Sequence, residues 1–269
     1  MTLNFTKMNG AGNDFVMLDN RDLSLSLTHN QIASLCDRHR GIGADGLLLV
    51  EPAQQGADFR MRYYNADGGE AEMCGNGARC FGRFVNHLHG DRLNRVVFET
   101  LAGLISAEFV GDRVRINMST PHGMLLNQTL DVGGTALRVH SINTGVPHAV
   151  VFVDDLEGTE VRKLGAGLRY HDAFKPKGTN ANFVKALSPS CIAIRTYERG
   201  VEDETLACGT GMVACALVHH QLSGTASPIQ VQVKGGDILA VGFDVVSSGY
   251  ENVTLFGPAD FVFTGQVTI

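Results

Sequence analysis

The chain has 269 residues, a length that suits two domains better than a single compact core. With 44% hydrophobic and 19% charged residues it reads as an ordinary globular protein. A net charge of -6 with scattered basic residues excludes the electrostatic footprint of a nucleic-acid binder or an anionic-membrane binder, which leaves a small molecule or another protein as partner. The first residues, MTLNFTKMNGAGNDF, lack the apolar core of a signal peptide, and no apolar run reaches the length of a membrane span, so a cytoplasmic location is expected. In that reducing setting the six cysteines read as thiols rather than as a disulfide framework. Zinc is disfavoured, because Cys74/Cys80 and Cys208/Cys215 are spaced more widely than usual zinc knuckles.

Taken in chain order, the pattern predicts a helix with a charged face over 29–39 and an alternating strand over 59–64. A helix over 75–89 follows, with Phe81, Phe84, Val85 and Leu88 at helical spacing, then strands over 96–100 and 114–118. Turn residues at 119–123 mark the domain junction. Beyond it the pattern predicts strands over 137–142, 192–197, 229–233 and 253–256 and helices over 157–168 and 209–222. The last helix runs MVACALV and has no polar face for two turns. It must be enclosed, and the abundance of strands points to a sheet curving around it.

The chain also contains its own pattern twice. FRMRYYNADGGEAEMCGNGARC in the first half answers IAIRTYERGVEDETLACGTGMVAC in the second, and GNDFVMLDN answers GVPHAVVFVDD more faintly. The predicted fold is therefore α+β, with two pseudo-symmetric domains, each a curved mixed sheet wrapped around a central helix, and the active site in the cleft between them. The domains run over 1–119 and 120–258, with the strand after Pro258 (259–269) crossing back to the first.

In each copy a cysteine, Cys74 or Cys208, stands just before a helix that opens Gly-x-Gly. First-turn amides and the positive end of the helix dipole then face the thiol and any bound anion. One such cysteine is most simply a small core residue; two in matched contexts call for chemistry that uses both. Inverting an α-carbon needs a base on one face and an acid on the other, which a thiolate and a thiol supply without a cofactor. No phosphate loop and no distinctive Schiff-base lysine supports nucleotide or pyridoxal phosphate use.

The runs KMNGAGNDFV, RHRGIGADGLLLVE, NADGGEAEMCGNGARCF, GTNANFV and YERGVEDETLACGTG closely resemble diaminopimelate epimerases. The resemblance implies interconversion of LL- and meso-diaminopimelate by a cytoplasmic, cofactor-independent and metal-free homodimer. It implies a catalytic set of Cys74, Cys208, His148 and Glu198. Substrate contacts follow at Asn13, Asn65, Gly75, Asn76, Asn180, Glu198, Arg199, Gly209 and Thr210, with Glu198 and Arg199 facing the distal ammonium and carboxylate. Two departures bear on the lining of the distal pocket: Val146 stands where many members carry an asparagine, and Gly46 where others carry a glutamine. The rival readings are a racemase of proline, hydroxyproline or histidine, a dithiol redox or metal-binding protein, and a non-catalytic module on the same scaffold.

Overall fold

The computed structural model describes residues 1–269. The chain divides into two compact units, Met1–Asn117 with Gly257–Ile269, and Met118–Phe256. The first contains β1 (Thr2–Gly10), β2 (Asn13–Asp19), α1 (His29–Cys36), β3 (Gly46–Pro52), β4 (Phe59–Asn65), β5 (Glu70–Ala71), α2 (Gly75–Leu88), β6 (Arg95–Thr100), β7 (Gly103–Val110) and β8 (Arg113–Asn117). The second is built from β9 (His122–Val132), β10 (Thr135–Asn143), β11 (Pro147–Phe152), α3 (Val161–Arg169), β12 (Asn180–Ser188), β13 (Cys191–Glu198), β14 (Asp203–Thr205), α4 (Gly209–Ser223), β15 (Ile229–Gln232), β16 (Ile238–Val246) and β17 (Gly249–Pro258). The last strand, β18 (Asp260–Thr268), pairs antiparallel with β1.

Strand pairing repeats from one unit to the other. In the first, β1 is antiparallel to β2, β2 parallel to β3, β3 antiparallel to β4, and β4 parallel to β6 across α2. In the second, β10 is antiparallel to β11, β11 parallel to β12, β12 antiparallel to β13, and β13 parallel to β15 across α4. The short strands β5 and β14 fold back antiparallel on β4 and β13 in the same way. A parallel step needs a crossover, and a helix lies in each one: α1 and α2 in the first unit, α3 and α4 in the second. The result is a strand-dominated α+β protein with mixed sheets and few helices.

The core explains the central helices. Met212 to Val218 of α4 are all fully buried, lying against β10 to β13, β15 and β16. Enclosing Met212, Val213, Leu217 and Val218 stabilises by roughly 1.5–3 kcal/mol for each side chain, which is why a helix lacking a polar face is held inside a sheet. α2 packs on β1 to β4 and β6 to β8 through Phe81, Phe84 and Val85, with the Phe81 and Phe98 rings 4.6 Å apart between centroids.

Two helices differ from the sequence reading. α1 stops at Cys36 and not at residue 39, because the Asp37 carboxylate accepts the His39 and Arg40 amides at 2.7 and 2.9 Å and turns the chain. α3 begins at Val161 and not at 157, because Asp155 accepts the Gly158 amide at 3.0 Å and its carbonyl accepts the Thr159 hydroxyl at 2.6 Å. No helix is long and apolar enough to cross a membrane.

Candidate active site

Cys74 and Cys208 are the N-caps of α2 and α4, and their backbones match: φ -134°, ψ 121° at Cys74 and φ -126°, ψ 110° at Cys208. Each cap carbonyl accepts the first intrahelical bond, from Ala78 at 2.7 Å and from Met212 at 2.9 Å. Neither helix has a side-chain cap. The first-turn amides of Gly75 and Asn76, and of Gly209 and Thr210, therefore remain donors beside a thiol at the positive end of a helix dipole. Three other cysteines are set apart by burial, which pushes Cys36 up to about 11, Cys80 up to about 12 and Cys215 well above the ordinary thiol value. No group of three or more His, Cys, Asp or Glu side chains is placed to hold a metal ion.

In the first unit the Asn76 side chain is turned inward. Its Oδ1 accepts from the fully buried Arg79 at 2.9 Å, and its Nδ2 donates to Asn13 Oδ1 at 2.7 Å. Asn13 in turn donates to Asp45 Oδ2 at 3.0 Å, and Arg38 grips both Asp45 and Asp14 at 2.7 Å. Burial would raise the Asp14 carboxyl, but hydrogen bonds from Arg38 and Lys7 outweigh it and hold the group well below the usual carboxylate range. Asn13 and Asn76 are thus oriented by a charged chain, and Arg79 and Asp45 are members of it that the sequence reading lacked. Asn65 ends β4 with an exposed side chain. Gly46 is a packing position: a Cβ there would meet the Tyr64 carbonyl at 2.5 Å and the Tyr63 ring at 2.7 Å, so a glutamine would not fit this backbone.

In the second unit His148 is almost fully buried, with Nε2 2.9 Å from Thr210 Oγ1. Burial and the nearby Arg199 charge push its pKa down to about 3, so the imidazole is neutral. Thr210 Oγ1 lies 3.7 Å from Cys208 Sγ, and the Thr144 hydroxyl donates to the Thr210 carbonyl at 2.9 Å. Glu198 accepts the Thr205 hydroxyl at 2.9 Å, and burial raises its carboxyl above the ordinary glutamate value. Asn180 makes two backbone contacts, donating to the Pro147 carbonyl at 3.0 Å and accepting the Arg199 amide at 2.8 Å. Its amide therefore fixes the YERG turn and keeps one N–H and one carbonyl lone pair for anything else. Val146 is half-buried and its carbonyl accepts the Thr144 amide. Thr144, Asn182 and Thr205 were absent from the sequence reading, although Asn182 shares a strand face with Asn180 by the two-residue period of β12.

A sequence profile described as diaminopimelate epimerase matches residues 5–123 and 140–260. The chain belongs to the diaminopimelate epimerase family. It is 43% identical over 279 residues to the diaminopimelate epimerase of Aquifex aeolicus, covering 99% of this chain and 98% of that protein. Against the diaminopimelate epimerase of Chlorobaculum tepidum it is 44% identical over 266 residues, covering 97% and 100%. Among solved structures, a probable proline racemase from Agrobacterium radiobacter superposes with a TM-score of 0.72 at 16% identity, over 99% of this chain and 93% of that one. A phenazine biosynthesis protein from Bacillus anthracis gives 0.71 at 16% identity over the whole of both chains. These two likenesses concern the fold alone.

Proposed function

We propose that this chain interconverts LL- and meso-diaminopimelate, with Cys74 and Cys208 serving the same α-carbon as base on one face and acid on the other. The observation that carries the mechanism is the match between the two caps: the same residue, the same backbone conformation and the same lack of a side-chain cap at equivalent positions of a repeated unit. One thiolate removes the α-proton, the other thiol delivers a proton to the opposite face, and the roles exchange in reverse. Negative charge developing toward the carboxylate is met by the first-turn amides, which are preorganised donors. The identity of the relatives supports the substrate, and Glu198 with Arg199 supports recognition of a second polar end. On the sequence reading, the enzyme works as a cytoplasmic homodimer.

The test is a stereochemical assay of the purified protein with no added cofactor, using LL- and meso-diaminopimelate and a panel of other amino acids. Interconversion of the two diaminopimelate isomers is the expected result. Inertness toward both, with turnover of proline, hydroxyproline or histidine, would transfer the reading to another racemase.

A further inference from the structure

Behind Thr210 the hydrogen bonds continue into the protein. Asn182 is fully buried on β12. Its Nδ2 donates to the Ala149 carbonyl at 2.8 Å and lies 3.2 Å from His148 Nδ1, while its Oδ1 accepts the Thr196 hydroxyl at 2.9 Å. A carbonyl can only accept, so the Ala149 contact fixes which end of the amide is nitrogen, and the Thr196 contact agrees with it. Asn182 therefore presents an N–H to His148 Nδ1, which must accept. The ring proton then resides on Nε2 and is donated to Thr210 Oγ1. The Thr210 hydroxyl still carries its own proton, and Cys208 Sγ at 3.7 Å is within reach to accept it.

We propose that Asn182 and Thr196 are positioning residues that set the His148 tautomer, so that the Thr210 hydroxyl donates to the Cys208 sulfur and favours its thiolate. The inference rests on the two-thiol reading above for its role in turnover, and on geometry alone for its effect on the sulfur. The depressed basicity of His148 fits this role, because an imidazolium would donate from both nitrogens and could not accept from Asn182. The same logic gives Gly211 its place, since a Cβ there would lie 2.6 Å from Asn182 Oδ1 and 3.3 Å from Cys208 Sγ. The first unit has a different arrangement, with Arg79 and Asn13 around Asn76.

The experiment compares Thr210→Val, Thr210→Ser and Asn182→Leu with the parent protein, at one fixed neutral pH and without substrate. Alkylation of each cysteine by iodoacetamide is followed by peptide mass spectrometry. Removing a hydrogen bond to a charged acceptor should slow the Cys208 reaction about tenfold in Thr210→Val and Asn182→Leu. Cys74 should be unaffected, and Thr210→Ser should restore the rate. In turnover the same variants should lower kcat more than they raise KM. Thr210→Val is isosteric and carries the test if Asn182→Leu fails to fold. Parental Cys208 alkylation in Thr210→Val, equal slowing of both cysteines, or failure of serine to rescue would overturn the proposal. Absence of epimerase activity in the parent protein would instead sink the proposed function and leave the alkylation comparison standing.

Discussion

Replacing Gly211 by alanine adds one methyl group where the structure has no room for it. The new Cβ would stand 2.6 Å from Asn182 Oδ1, well inside van der Waals contact, and 3.3 Å from the Cβ and Sγ of Cys208. Asn182 cannot swing aside without releasing Thr196, Ala149 or His148, each within 3.2 Å of it. Overpacking of this kind costs about 1–3 kcal/mol, and a broken hydrogen bond adds about 1 kcal/mol. Alanine returns about 1 kcal/mol through its higher helix propensity, so the net loss should be about 1–3 kcal/mol. Urea denaturation followed by circular dichroism measures it, and kcat should fall as well because the shift reaches Cys208. A Gly211→Ala protein as stable and as active as the parent would refute the packing around Asn182.

Four further outcomes are expected. Cys74→Ala and Cys208→Ala should each remain folded by circular dichroism and lower kcat by about 10²–10⁴-fold or more, as expected for removing an essential acid or base. His148 has a folded pKa near 3 against an ordinary 6.5, so the unfolded chain takes up its proton first as pH falls. Its contribution to stability is complete above about pH 6.5 and is lost on descent toward pH 3, about 2–3 kcal/mol of it between pH 7 and 4.5. Urea titrations at those two pH values should show a smaller loss in His148→Asn. Asp14→Asn leaves the buried Lys7 ammonium without its carboxylate and should destabilise by about 2–4 kcal/mol, measured the same way. Gly46→Gln should destabilise by about 2 kcal/mol or more, because its Cβ overlaps the Tyr64 carbonyl; a thermal melt unchanged from the parent would contradict this.

The architecture was legible where local pattern and tertiary role coincide. The Cys-Gly-x-Gly repeat marked α2 and α4 correctly because a cap, a close backbone approach and a buried helix all follow from the same few residues. The overrun of α1 and the early start assigned to α3 have one cause, since Asp37 and Asp155 capture nearby amides that a hydrophobic period does not register. β3 carries no alternating strand signal because GLLLVEP is buried along nearly its whole length. In the site, residue types were readable but their bonding was not. Asn180 engages Pro147 and Arg199, 33 and 19 residues away, and Asn182 reaches His148 over 34, so only the folded strands reveal what each asparagine orients.

The central claim is that two thiols act on one α-carbon from opposite faces, and early turnover in deuterium oxide tests it directly. Starting from either isomer of diaminopimelate, the first product formed should carry solvent deuterium at the inverted carbon while remaining substrate stays protonated, in both directions. Product that retains the substrate's own hydrogen, or substrate that exchanges as fast as product forms, would show that a single base serves both faces and would contradict the account.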